Sequence, residues 1–69
     1  MTEKQRKAFG KNIKHLLIDK DVSQRDLAEA AGVSEYMISK VISGAKKPPF
    51  DVVVAIANRL EVTVDDLIK

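Results

Sequence analysis

The chain has 69 residues, 45% hydrophobic and 32% charged, with no cysteine, one histidine and a formal net charge of +2. A chain this short buries only about 60% of the surface its unfolded form exposes, which leaves one thin core and no room for a substrate cavity closed off from water. Missing cysteines exclude a disulfide framework, thiolate chemistry and zinc–thiolate sites, the lone histidine excludes a histidine metal cluster, and no apolar run approaches the roughly 20 residues of a membrane span.

The first helix is expected to start after Thr2. Thr2 followed by Gln5 fits a capping box, in which two side chains satisfy free backbone N–H groups reciprocally. Phe9, Ile13, Leu16 and Leu17 then recur at helical spacing as one apolar stripe, with Ile18 on the opposite face and His15 on the surface. Asp19-Lys20-Asp21 ends the segment. Ser23, with Asp26 three residues on, opens a second helix whose apolar face is Leu27, Ala28 and Ala31. Gly32 closes it, where glycine takes a left-handed cap without strain. Ser34 opens a third helix and Gly44 closes that one. Ala45-Lys46-Lys47-Pro48-Pro49 cannot be helical through its prolines.

Over residues 50–60, the β-branching of Val52-Val53-Val54 would suit a buried strand. Phe50, Val53, Val54, Ala57 and Leu60 nevertheless keep a 3.6-residue period, and an isolated strand would have no partner, so the segment reads as a helix. Thr63 with Asp66 opens a short final helix with Val64, Leu67 and Ile68 inward. Asp65 and Asp66 fit the first turn of that helix as partners of its dipole, not a metal site or a catalytic pair. The expectation is five helices and no sheet, in one domain over residues 1–69.

Charge is uneven along the chain. Residues 1–20 hold six Lys/Arg against Glu3 and Asp19, a net +4, while residues 21–44 hold two basic and four acidic residues, a net −2. An anionic partner should therefore meet the N-terminal segment and the Lys46–Lys47 pair. The polar start, MTEKQRKAFGKN, does not fit a signal peptide, so a cytoplasmic location is expected.

A helix, a short turn containing Gly32 and a second helix make a helix-turn-helix unit over about residues 23–43. Ala28 is small where the two helices cross, and Leu27, Val33, Ile38 and Val41 fill the angle between them. On a helical wheel Ile38, Val41 and Ile42 face inward. The opposite side presents Tyr36, Ser39, Lys40 and Ser43, with Glu35 and Met37 on the flanks.

Gln24, Leu27, Ala28, Gly32, Val33, Ser34, Ile38, Ser39 and Gly44 spell Q-x-x-L-A-x-x-x-G-V-S-x-x-x-I-S-x-x-x-x-G. This run resembles the phage Cro and repressor (XRE-like) helix-turn-helix family. The likeness extends through Phe9-Gly10-Lys11-Asn12-Ile13-Lys14 on one side. On the other it takes in Pro48 and Phe50 to Thr63, so about residues 8–68 are covered. It implies a lambda-repressor-like, all-α DNA-binding fold whose third helix lies in the major groove, a nucleoid-associated location, and no cofactor or small-molecule effector.

The resemblance makes Glu35, Tyr36, Met37 and Lys40 the candidate base readers. Lys40 can donate to guanine O6 and N7, Glu35 can accept from cytosine N4, and Tyr36 and Met37 can touch a thymine methyl. Glu35 could equally be a first-turn acid favoured by the helix dipole. Ser23, Gln24, Ser34, Ser39, Ser43, Lys46 and Lys47 are candidate phosphate contacts. Their plainer roles are caps, helix-surface groups and a solvated basic loop.

Three positions depart from the family pattern. Leu17 and Ile42 stand where relatives often pair an arginine with a glutamate, and are expected to touch as an apolar pair. Pro49 stands where a Ser or Thr usually caps the fourth helix. The recognition helix is nearly neutral. The expected function is a DNA-binding regulator, a repressor bound to a palindromic operator as a homodimer. A second expectation, from another class, is a protein-interaction module such as an antitoxin or accessory factor, with Tyr36 and Met37 as its docking patch. No nucleophile–base pair or phosphate-cradling glycine loop supports an enzyme.

Overall fold

The computed structural model describes residues 1–68 as five α-helices: α1 (Glu3–Asp19), α2 (Gln24–Ala31), α3 (Glu35–Ser43), α4 (Phe50–Leu60) and α5 (Val64–Ile68). No strand occurs among the described residues. Local chemistry sets the starts. The Thr2 hydroxyl accepts from the Gln5 N–H at 3.1 Å, and the Thr2 N–H donates to the Gln5 side chain at 2.7 Å. Ser23 and Ser34 accept from the N–H groups of Asp26 and Met37 at 3.0 and 3.1 Å. Thr63 and Asp66 cap α5 reciprocally, both bonds at 3.1 Å. Pro49 gives no side-chain cap, yet α4 begins at the next residue. Its ring presets the extended entry (φ −61°, ψ 154°), and its carbonyl accepts from the Val53 N–H at 3.1 Å.

The ends of α2 and α3 fall on Gly32 (φ 68°) and Gly44 (φ 82°), both left-handed. α4 ends in the same conformation on Glu61 (φ 57°), where a Cβ costs roughly 1–2 kcal/mol. Replacing Glu61 with glycine should therefore stabilise the fold by about 1 kcal/mol, a rise of about 4–8 °C in Tm for a domain this size. A thermal melt followed by circular dichroism checks it, and an unchanged or lower Tm would contradict the strain.

The core is one cluster. Phe9, Ile13 and Leu17 of α1 meet Val22, Leu27 and Ala28, then Ile38 and Val41 of α3, five residues of α4, and Leu67 of α5. No polar or charged residue is buried among those described. α1 packs on α3 and α5, and α2 on α3 and α4. Leu17 is buried and Ile42 half-buried against the same cluster, two apolar residues where the resemblance leads one to expect an ion pair.

Two expectations are corrected. α4 buries Val52, Val53, Ile56, Ala57 and Leu60, whereas Phe50 is 73% exposed and Val54 only half-buried. Its apolar run contains two overlapping stripes of the same period, and contact with both α2 and α5 selects the one centred on Ile56. Ile68, expected inward, is 55% exposed. Successive residues of a helix point about 100° apart, so a five-residue helix anchored by Leu67 turns Ile68 outward.

Three long-range features tie α1 to the rest. The Arg6 guanidinium donates to the Gly44 carbonyl at 3.0 Å, and the Asn12 amide donates to the Leu67 carbonyl at 2.9 Å. At Gly10, α1 and α3 meet backbone to backbone. A methyl group there would stand 2.6 Å from the Ile42 carbonyl carbon and 2.8 Å from the Val41 carbonyl oxygen.

Candidate nucleic-acid interface

The helix-turn-helix places two helix N-termini, a helix face and a basic loop on the exterior. At the start of α2, Ser23 and Gln24 are exposed. At the start of α3, so are Ser34 and Glu35. Ser23 and Ser34 use a lone pair as caps, which leaves each hydroxyl hydrogen to donate. The N–H groups of each first turn point the same way, the arrangement that suits an anion.

Ser43 differs. Its hydroxyl donates to the Lys40 carbonyl at 3.0 Å and accepts from the Ala45 N–H at 3.4 Å, so its only hydrogen is already placed within α3. The same carbonyl accepts from the N–H groups of Ala45 and Lys46 at 3.0 and 3.3 Å. The loop carrying Lys46 and Lys47 is thereby fixed to the last turn of α3, with Pro48 buried behind it.

On the outer face of α3, Tyr36 is 70% exposed. The Lys40 ammonium lies 5.3 Å from the centre of its ring, within cation–π range. This i, i+4 pair joins an aromatic and a cation into one unit, a link that the separate reading of the two residues missed although its spacing was visible. Met37 is half-buried and packs against the core, so Tyr36 is the apolar group that stands free on this face. Glu35 is exposed in the first turn.

Seven of the sequence-expected residues fall into three groups. Gln24, Ser39 and Ser43 line one groove together with lysines of α1. Glu35, Tyr36 and Lys40 follow the outer face of α3. Lys47 borders a separate groove with Met1, Phe50 and Ile68. Arg6, which belonged to the basic N-terminal segment in sequence, is half-buried and committed to Gly44. Among the described residues there is no cluster of three metal-ligating side chains, and no helix is long and apolar enough to cross a membrane.

The model of the Cro/C1-type HTH DNA-binding domain matches residues 12–69. Among solved structures, the chain is similar to the clp gene regulator ClgR from Corynebacterium glutamicum, at 30% identity and a TM-score of 0.87, over 91% of this chain and 67% of that one. It also shares its fold with the restriction-modification controller protein C.AhdI from Aeromonas hydrophila, at 22% identity and a TM-score of 0.85, over 90% of this chain and 94% of that one. A hypothetical transcription factor, NHTF, from Neisseria superposes at 21% identity and a TM-score of 0.86, over the whole of this chain and 80% of that one. No curated protein matches the chain.

Proposed function

The chain belongs to the Cro/C1-type helix-turn-helix DNA-binding family of transcriptional regulators, and from that premise we propose that it is a repressor that binds a palindromic operator as a homodimer. The observation that carries this reading is the outer face of α3, where Lys40 stacks over an exposed Tyr36 between a capped N-terminus and an anchored basic loop. α3 enters the major groove, with Glu35, Tyr36 and Lys40 toward base edges and Met37, half-buried against the core, offering them only its exposed part. Ser23, Gln24, Ser34, Ser39, Lys46 and Lys47 lie toward phosphates, where they set register. Ser43 joins them only by giving up its bond to Lys40.

One recognition helix reads one half-site, and two half-sites one turn of DNA apart, about 34 Å, call for two protomers. The support for a second copy is apolar. Phe50 and Ile68 are large, exposed and gathered with Met1 around one groove, on elements away from α3. A 69-residue protomer offers a small contact, so self-association should be weak alone and strengthened by operator DNA. Sedimentation at rising protein concentration, with and without operator, tests this. Two protomers per site are expected, and Phe50→Ser should lower that stoichiometry without changing the fold. One protomer per site at saturation would contradict the dimer. An operator placed over a reporter promoter should lower transcription when the protein is present.

A further inference from the structure

Between α1 and α3 runs a groove of about 600 Å³ whose α1 wall the helix-turn-helix reading leaves unused. One wall is Lys7, Lys11 and Lys14, which share a face of α1 at i, i+4 and i+7 spacing. Opposite them stand Gln24 at the start of α2, and Ser39 and Ser43 on α3, and the apolar Ile18 and Ile42 also line the groove. No aspartate or glutamate lines it. Lys7 pairs with Glu3 at 3.2 Å, but both groups are well exposed, and such pairs are worth little. Among the described residues Lys11 and Lys14 form no ion pair. A concave surface lined by charge of one sign concentrates its field and raises the local density of counter-charge.

We infer that this groove is a second phosphate-binding track, in which Lys11 and Lys14, assisted by Lys7, hold the backbone of the duplex whose bases α3 reads. The inference rests on the DNA-binding reading above and extends it to a helix outside the helix-turn-helix. Continuity carries it. Gln24 and Ser39, placed toward phosphate on other grounds, are walls of the same groove, so a strand touching them runs beside the lysines. From Lys7 to Lys14 the row rises about 10 Å along α1. One DNA strand carries a charge every 3.4 Å of axis, so the row spans more than one phosphate. Lysine suits the task, because an ammonium on a flexible stem makes a point-charge contact without fixed geometry. These contacts add affinity at every sequence and choose none.

The test compares wild-type protein, Lys11→Gln/Lys14→Gln and Lys11→Arg/Lys14→Arg on operator and scrambled duplexes over a range of salt. Both side chains are exposed, and melts of each variant confirm the fold. For the glutamine variant, binding to both duplexes should weaken by about tenfold per lost contact near 0.1 M salt. The slope of log K against log salt should flatten by about 0.9 per contact, with the operator-to-scrambled ratio unchanged. The arginine variant should keep the wild-type slope. If the glutamine variant retains wild-type slope and affinity, the groove does not hold DNA and the recognition-helix reading stands alone. Loss confined to operator would also overturn the inference, since phosphate contacts do not discriminate. If wild-type protein shows no salt-dependent binding to either duplex, the groove and the DNA-binding reading fall together.

Discussion

Gly10→Ala should be among the most damaging single substitutions in this protein, although a mid-helix glycine usually gains about 1 kcal/mol when replaced by alanine. The sign reverses because of what lies opposite. The added methyl would press on the carbonyl groups of Val41 and Ile42, and backbone cannot rotate aside as a side chain can. α1 and α3 would have to separate by several tenths of an ångström or more. That movement loosens the packing of Phe9, Ile13, Ile38 and Val41, and strains the bond from Arg6 to Gly44. Overpacking of this kind costs about 1–3 kcal/mol, occasionally more, and here it also forfeits the helix-propensity gain. Small domains have only about 5 kcal/mol in reserve. A fall in Tm of about 10–20 °C is expected, measured by thermal denaturation. A Tm at or above wild type would mean that the crossing is not tight.

Lys40→Ala and Lys46→Ala should separate reading from positioning. Lys40 stands mid-face on α3, its ammonium held over Tyr36, so it should meet a base edge. Its loss should cost about 1–3 kcal/mol per half-site and relax preference at one operator position. Tyr36→Ala should reproduce part of that effect, because the cation loses the ring that holds it, while Tyr36→Phe should not. Lys46 lies in the loop fixed to the end of α3 and should meet phosphate. Lys46→Ala should weaken operator and scrambled DNA alike and flatten the salt slope by about one unit per contact. Lys46 is the better choice than Lys47, which borders the apolar groove with Phe50 and Ile68. Titrations on both duplexes at several salt concentrations check the pair. Equal loss on both DNAs for Lys40→Ala would make it a phosphate contact. If neither lysine affects DNA binding, a protein partner becomes the better reading of this face.

Much of this fold was legible because its signals are local. Thr2, Ser23, Ser34 and Thr63 each cap a helix with the bonds their spacing implies, and Gly32 and Gly44 end two of them. What was not legible depends on neighbours. Phe50 and Ile56 lie on overlapping stripes of α4, and only α2 and α5 decide which one is buried. Glu61 takes a left-handed cap without the residue type that announces one. The sequence does not show why residue 10 is a glycine, because its role is fixed by a carbonyl of another helix. In the interface, residue types showed which groups could touch DNA. Whether their hydrogens were already in use, as for Ser43 and Arg6, required the three-dimensional partners.

In the proposed function, α3 reads DNA sequence in a two-fold arrangement. Selection of bound sequences from a random pool of duplex DNA tests it most directly. The expected result is a palindromic consensus whose two halves lie about 34 Å apart, one turn of the helix, with a position that loses its preference in the Lys40→Ala protein. Recovery of sequences with no shared motif, at affinities set by salt alone, would contradict it.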